Sequence, residues 1–256
     1  MKASIQDSPR RSLGNFVVRQ AARLACRRPA QSAPARPMIS FTFDDAPMSA
    51  ATTGADVLEA RGFRGTFYLS GGLVAREDDR HRYVSAEQVV RLARVGHEIG
   101  CHTYSHRACG RASPREVRAE VERNGAALAR LGVPAPATFA FPFGDVSTSA
   151  KRALGGEFSL LRAVHHGIIE AGGDLNQAPA VPVYGASGET AARRWLEVAK
   201  ARRAWLIVFT HDVAPLPSAF GCTPGALERL LVAALESDFD VVTVAEGARR
   251  MRPLRA

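Results

Sequence analysis

The 256-residue sequence contains no long apolar run and few aromatic residues. No stretch approaches the roughly eighteen consecutive apolar residues that a membrane-spanning helix requires. Arginines interrupt every apolar stretch near the amino terminus, so none has the hydrophobic region of a secretory signal. We therefore expect a soluble, cytoplasmic protein. Aromatic residues make up only 7% of the chain, which favours a short or soluble ligand over an insoluble polymer that needs a long stacking surface.

Paired cysteines are also missing. The four cysteines, Cys26, Cys101, Cys109 and Cys222, form no Cys-x-x-Cys motif. This spacing excludes the common cysteine-based zinc sites and the thioredoxin-like redox motif. We expect these residues to be small, buried thiols.

Acidic residues are scarce in one part of the chain only. Residues 1–37 contain eight basic residues and one acidic residue, and so carry seven of the nine net positive charges. The remaining residues are nearly neutral, so nucleic-acid binding would depend on the tail alone and is not expected. We predict a basic, poorly ordered extension over 1–37 and one domain over 38–256. A membrane-surface or transit-like segment and a misassigned start codon are the alternatives for the tail.

Strand-like and helix-like segments alternate after the extension. Ser85, Ser113 and Thr223 are predicted to cap helices, and Ser113 is followed by proline and then by glutamate at the third position. About eight strands alternating with helices predict a distorted α/β barrel of seven to eight parallel strands. The predicted strands are 38–44, 65–69, 97–102, 138–141, 159–165, 180–184, 205–210 and 240–244.

Acidic and histidine side chains follow several of these strands. Asp44 and Asp45 end the first strand, His102 and His106 follow the third, and His211 follows the seventh. The carboxyl ends of parallel strands meet at one rim of a barrel, so we expect these groups to converge. Imidazole and carboxylate ligands suit Zn²⁺ and its first-row neighbours, and three protein ligands leave a position open for water. A spare aspartate beside such a site indicates a hydrolase.

Four segments, taken in order, resemble the motifs of the polysaccharide deacetylases, the family of the NodB-homology domain. The resemblance extends over about residues 38–246. It implies a metal-dependent enzyme that removes acetyl groups from N-acetylated sugars on a distorted, incomplete (β/α) barrel. The segments are Thr42-Phe43-Asp44-Asp45, His102-Thr103-Tyr104-Ser105-His106, Phe141-Pro142-Phe143-Gly144 and Ile207-Val208-Phe209-Thr210-His211.

The resemblance also implies a role for individual residues. Asp44 would be the general base that takes a proton from water, and His211 would be the general acid that protonates the leaving amine. The backbone N–H of Phe143 would stabilise the developing oxyanion. The ligands of Zn²⁺, or of another first-row metal such as Co²⁺, would be Asp45, His102 and His106.

Two family elements are absent from the sequence. Ala140 stands where the family's third motif usually has the arginine that orients the base, and we hypothesise that Arg162 in the next strand supplies this cation. The Asp-Trp element that tunes the acid histidine is not recognisable either. Asp174 and Asp212 are the candidate partners of His211, and we favour Asp174 because strand alternation would point Asp212 away.

The sequence leaves the function open between two classes. The first is an active deacetylase of a glycan or oligosaccharide that contains N-acetylglucosamine. The second is a non-catalytic sugar-binding member of the same fold, which the two missing elements would explain. His165 and His166 are expected to have no metal role, because three ligands are already assigned. The identity of the glycan and the oligomeric state are not predicted.

Overall fold

The structure is a computed structural model that describes residues 20–78 and 82–251. Its strands form one eight-stranded parallel sheet in the order β5-β4-β3-β2-β1-β7-β6, with β8 also pairing with β1. The strands are β1 Met38–Asp44, β2 Thr66–Leu69, β3 Glu98–Cys101, β4 Thr138–Ala140, β5 Leu160–Arg162, β6 Val181–Pro182, β7 Trp205–Thr210 and β8 Asp240–Val241.

Seven α-helices accompany the sheet in the described residues that follow residue 37. The predicted caps are confirmed: Ser85 and Ser113 form complete capping boxes, and the Thr223 side chain accepts a hydrogen bond from the N–H of Ala226. The helices are α1 Ala55–Glu59, continuing a π-helical turn at Ala50–Gly54, α2 Ala86–Arg94, α3 Pro114–Arg130, α4 Thr148–Leu154, α5 Gly188–Arg202, α6 Pro224–Glu236 and α7 Val244–Arg250.

The sheet curls into the predicted distorted barrel. Every residue of β1 and β7 is buried, as expected for apolar strands that are covered on both faces. Residues 174–178 extend the sheet beyond β5, since the N–H groups of Leu161 and Ala163 donate to main-chain oxygens in this segment. The carboxyl ends of the strands therefore face a common rim.

The last strand is shorter than predicted. The pattern predicts a strand over 240–244, but β8 ends at Val241. The Thr243 side chain accepts a hydrogen bond from the N–H of Glu246, 3.3 Å away, and so caps α7. A threonine N-cap therefore overrides the strand preference of the valines around it.

Residues 20–37 correct the prediction of a poorly ordered extension. Residues 20–24 are helical and Ala22 is fully buried against the barrel. The main chain of Ala30 exchanges hydrogen bonds of 2.7 Å with Gly172 and Gly173. The sequence pattern missed this docking because small alanines, rather than large apolar side chains, make the contact. Residues 1–19 lie outside the described part of the chain.

Two expected absences concern the described residues. No helix there is long and apolar enough to cross a bilayer. Cys101, Cys109 and Cys222 are buried and free, and the last two belong to different apolar clusters. Burial raises the pKa of Cys101 to about 12, so this thiol stays protonated at neutral pH.

The buried side chain of His97 should make the free energy of unfolding depend on pH. Its Nδ1 accepts from the N–H of Gly65 at 2.9 Å, and its Nε2 lies 2.9 Å from Glu59. Burial lowers the pKa of His97 below the ordinary 6.5, although Glu59 opposes this shift. Below pH 6.5 the His97 side chain is protonated more readily in the unfolded chain than in the folded chain. The contribution of His97 to the free energy of unfolding therefore decreases as pH falls.

We expect His97→Gln to flatten this pH dependence. Urea unfolding of the metal-free wild-type and variant proteins, near neutral pH and at about pH 5, would measure the difference. The wild type should lose more unfolding free energy on acidification than the variant. Equal losses in the two proteins would contradict the role of His97.

Candidate functional site

The end of β1 separates two adjacent aspartates. Asp44 still belongs to the strand and is 4% exposed. Asp45 has a φ of 60°, in the left-handed region that non-glycine residues rarely adopt. This change of backbone direction lets the two carboxylates contact different partners, which are Arg162 for Asp44 and two histidines for Asp45.

The two histidines after β3 converge on Asp45. Its Oδ1 lies 3.4 Å from Nε2 of His102 and 3.1 Å from Nε2 of His106. One ligand atom from each of the three residues lies within 4.8 Å of the others, and no other group of three His, Cys, Asp or Glu residues in the described part of the chain is this close. The predicted ligand residues are therefore brought together.

His102 is prepared to act as a metal ligand. Its Nδ1 lies 2.8 Å from the carbonyl oxygen of Ala140. A carbonyl oxygen can only accept, so Nδ1 carries the hydrogen and Nε2 keeps its lone pair towards Asp45. Burial lowers the pKa of His102 to about 4, which keeps the imidazole neutral. Two imidazoles and one carboxylate fit a first-row divalent metal.

Arg162 lies beside the other aspartate. Its fully buried guanidinium donates from Nη2 to Oδ1 of Asp44. The guanidinium carbon lies 5.1 Å and 5.0 Å from the ring centroids of Tyr68 and Phe209, which hold it in place between β2 and β7. A buried cation thus reaches the Asp44 carboxylate from the strand after Ala140.

His211 and Phe143 lie around the same centre. His211 Nε2 is 3.9 Å from Oδ2 of Asp45, and its Nδ1 is 3.3 Å from the carbonyl oxygen of Phe220. The ring of Phe143 packs edge-on against His106 at 4.4 Å. Groups that follow β1, β3, β4 and β7 therefore meet at one place.

Strained backbone conformations concentrate at this rim. Nine non-glycine residues in the described part of the chain have positive φ, and five of them lie in the loops of the site. Such conformations cost about 1–3 kcal/mol each and persist where the surroundings impose them, commonly at functional sites. The five residues are Asp45, Ala46, Thr103, His106 and Phe143.

Comparison with known proteins agrees with this geometry. The family model "Polysaccharide deacetylase" matches residues 31–155, which include both aspartates, both histidines and the turn at Phe143. Over these residues the sequence is that of the polysaccharide deacetylase family. The family's distorted (β/α) barrel is the fold described above.

Curated relatives match the chain over part of its length. A chitin deacetylase from Pestalotiopsis sp is 26% identical over 117 residues, which are 46% of this chain and 38% of that protein. A peptidoglycan-N-acetylglucosamine deacetylase from Bacillus cereus is 30% identical over 109 residues, or 42% of this chain and 37% of that protein. The matches thus span well under half the length of these relatives.

Solved structures share the fold over most of the chain. A family 4 acetyl xylan esterase from Clostridium thermocellum, in complex with a cobalt ion, has a TM-score of 0.58 and 22% identity, covering 82% of this chain and 89% of that one. The chitin deacetylase from Colletotrichum lindemuthianum has a TM-score of 0.58 and 16% identity, covering 86% and 92%. At these identities the similarity establishes the fold alone.

Neither candidate partner of His211 is found beside it. Asp174 accepts from Lys151 Nζ at 2.7 Å and from the N–H groups of Arg28 and Asn176, each at 2.9 Å. The Asp212 carboxylate accepts from the main chain and hydroxyl of Ser218 instead. The prediction for Asp174 is therefore corrected: the partner at Nδ1 of His211 is a main-chain carbonyl.

The sequence interpretation missed two buried polar residues of α3. One carboxylate oxygen of Glu120 accepts from the N–H of Tyr104 at 3.1 Å and from the N–H and hydroxyl of Ser105 at 2.7 Å and 2.8 Å. Asn124 accepts from the N–H of Gly71 and donates to the carbonyl of Leu69. Both residues lie on the buried, otherwise apolar face of the helix. Polar residues at positions where the helical period predicts apolar ones are the feature of the sequence that could have identified them.

Gly144 fixes the turn that carries Phe143, and its substitution should be costly. The residue has a φ of 60°, and a Cβ there would lie 2.0 Å from Cγ2 of Val164. We expect Gly144→Ala to lower the free energy of unfolding by about 2–4 kcal/mol, measured by urea denaturation. Gly132→Ala is the matched control, since its φ is 75° and nothing lies within 4 Å. Equal losses in both variants would show that the contact with Val164 is unimportant.

Proposed function

We propose that the protein is a metal-dependent hydrolase that removes the acetyl group from an N-acetylated sugar. One observation carries the proposal. Two imidazole Nε2 atoms approach Asp45 at 3.1 Å and 3.4 Å, while the adjacent Asp44 is held apart by Arg162. A three-residue donor set beside a separately held carboxylate is what metal-assisted hydrolysis requires.

Asp45, His102 and His106 would hold the metal. A divalent cation such as Zn²⁺ or Co²⁺ held by these three residues would supply Lewis acidity for the hydrolysis of an acetamide. Asp44 accepts the proton of the attacking water as general base. Arg162 holds the Asp44 carboxylate and keeps it from turning towards the cation.

Proton delivery and oxyanion stabilisation fall to two other residues. His211 donates a proton from Nε2 to the leaving amine, while its Nδ1–H is directed to the carbonyl of Phe220, 3.3 Å away. The amine needs this proton because an unprotonated amine is a poor leaving group. The N–H of Phe143 donates to the acetyl oxygen as that oxygen gains negative charge.

An N-acetylglucosamine-containing glycan is the proposed substrate. Chitin and peptidoglycan N-acetylglucosamine deacetylases at 26% and 30% identity support this choice. Phe220, 55% exposed, stands 5.6 Å from His211 and 5.8 Å from Tyr184 at the rim. These rings offer a short surface on which one or two sugar rings could stack.

Metal removal should abolish the activity. Acetate release from N-acetylated chitin and peptidoglycan oligosaccharides would be followed by mass spectrometry before and after chelation. We expect no acetate release from the metal-free protein, because the Lewis acid needed for hydrolysis is then missing. Acetate release should recover on addition of Zn²⁺ or Co²⁺. Release that persists in protein shown to be metal-free would contradict the proposal.

A sugar-binding function without catalysis is the second candidate, because a main-chain carbonyl replaces the family's acidic partner of the histidine. It predicts a protein that binds metal and oligosaccharide but releases no acetate from any of these substrates. The same experiment separates the two functions.

A further inference from the structure

A cavity lies between the docked amino-terminal segment and the loops that follow β5. Its volume is about 300 Å³. None of the residues proposed for metal binding or proton transfer lines it. The charged and imidazole side chains of its lining are Arg23, Arg27, His165, His166 and Asp174.

Docking of the segment around residues 22–30 creates this cavity. Lys151 Nζ donates to the carbonyl of Ala22 at 2.6 Å, and Asn176 Nδ2 donates to that of Cys26 at 3.0 Å. Arg27 Nη2 donates to the carbonyl of Gly172 at 2.9 Å, which holds its guanidinium at the cavity edge. The two arginines of the cavity lining, Arg23 and Arg27, therefore both come from the segment.

The cavity lining contains more basic than acidic side chains. Asp174 is its one acidic residue among those described, and its carboxylate already accepts from Lys151 and from the N–H groups of Arg28 and Asn176. The charges of Arg23 and Arg27 are not balanced by any other acidic lining residue. An anion that enters the cavity would therefore meet an excess of positive charge.

The two histidines do not indicate a second metal site. Burial lowers the pKa of His165 to about 4, and the positive charge of Arg23 acts in the same direction. A cation would meet the same repulsion from Arg23. An imidazole has an N–H group to donate, and arginines bind tetrahedral oxyanions in bidentate fashion, so the side chains suit an anion.

We propose that this cavity binds the phosphate group of a phosphorylated ligand through Arg23, Arg27 and His166. The site is separate from the proposed metal centre, and the proposal does not depend on the deacetylase activity. A phosphorylated sugar and a lipid phosphate headgroup share this chemistry. Either phosphate group would be held by the same three side chains.

Calorimetric titration of the full, metal-free chain with inorganic phosphate tests the site. We expect Arg23→Ala/Arg27→Ala to weaken binding by about tenfold or more, because both charged contacts are lost. Arg36→Ala/Arg61→Ala is the control with the same change in charge, since these arginines pair with Asp238 and Glu228 outside the cavity. The control should bind phosphate like the wild type. Equal affinity in all three proteins, or no binding by the wild type, would overturn the proposal.

Two further measurements complete the test. His166→Ala changes an exposed side chain, so it should fold normally and still weaken phosphate binding several-fold; unchanged affinity in this variant would count against the site. Competition by N-acetylglucosamine 1-phosphate would identify a soluble ligand. Co-sedimentation with phosphatidylcholine vesicles only when they contain phosphatidic acid, and its loss in Arg23→Ala/Arg27→Ala, would identify a lipid headgroup.

Discussion

Asp44→Asn is expected to retain metal binding and to release acetate about 10²–10⁴-fold more slowly than the wild type. The amide removes the base that takes the proton of the attacking water. Its oxygen can still accept from Arg162, so the buried guanidinium keeps a hydrogen-bond partner and the fold should persist. Acetate release at saturating oligosaccharide and the metal content after dialysis are the two measurements.

Asp45→Asn is the matched comparison one residue further along the chain. It should lose metal, because an amide oxygen is a weaker metal ligand than a carboxylate oxygen. Retention of metal by Asp44→Asn and its loss by Asp45→Asn would identify Asp44 as the base and Asp45 as the metal ligand. Loss of metal in Asp44→Asn together with its retention in Asp45→Asn would reverse the assignments.

Arg162→Met should have the second large effect. Removing one partner of a buried ion pair typically costs about 3–5 kcal/mol, because the remaining charge is left uncompensated. We expect a lower midpoint of urea unfolding and acetate release at least about tenfold slower, since Asp44 is no longer held. A rate within a few-fold of the wild type would exclude Arg162 as the positioning residue.

A double-mutant comparison distinguishes positioning from stability. If Arg162 acts through Asp44, Arg162→Met should slow acetate release much less in the Asp44→Asn background than in the wild type. Arg162→Lys keeps a cation without the planar donors and should recover part of the rate. Equal losses in both backgrounds would indicate a general structural role for Arg162.

Local patterns were sufficient to predict most of the architecture. Apolar β1 and β7 predicted strands covered on both faces, and the capping residues before α2, α3 and α6 predicted where these helices begin. These signals depend on neighbours within a few residues. The predicted end of β8 was wrong because Thr243 caps α7, and the strand-forming valines overlap in sequence with the start of this helix.

The docking of residues 20–37 could not be predicted in the same way. Buried Ala22 and Ala30 contribute little apolar area, and the segment is held mainly by main-chain hydrogen bonds to residues far away in sequence. Arginines on this segment look like a solvated tail when the partner surface is unknown. The basic cavity was invisible for the same reason.

The sequence by itself determined the barrel, the family motifs and the residue types of the candidate metal site, because strand ends in a parallel barrel meet at one rim. Only the tertiary structure decided which partner each side chain has. It brought Arg162 to Asp44 across the barrel, took Asp174 away to Lys151, and put the carbonyl of Phe220 at His211. Side-chain partners depend on distances between residues more than a hundred positions apart, or on the path of a loop, and neither is encoded in local spacing.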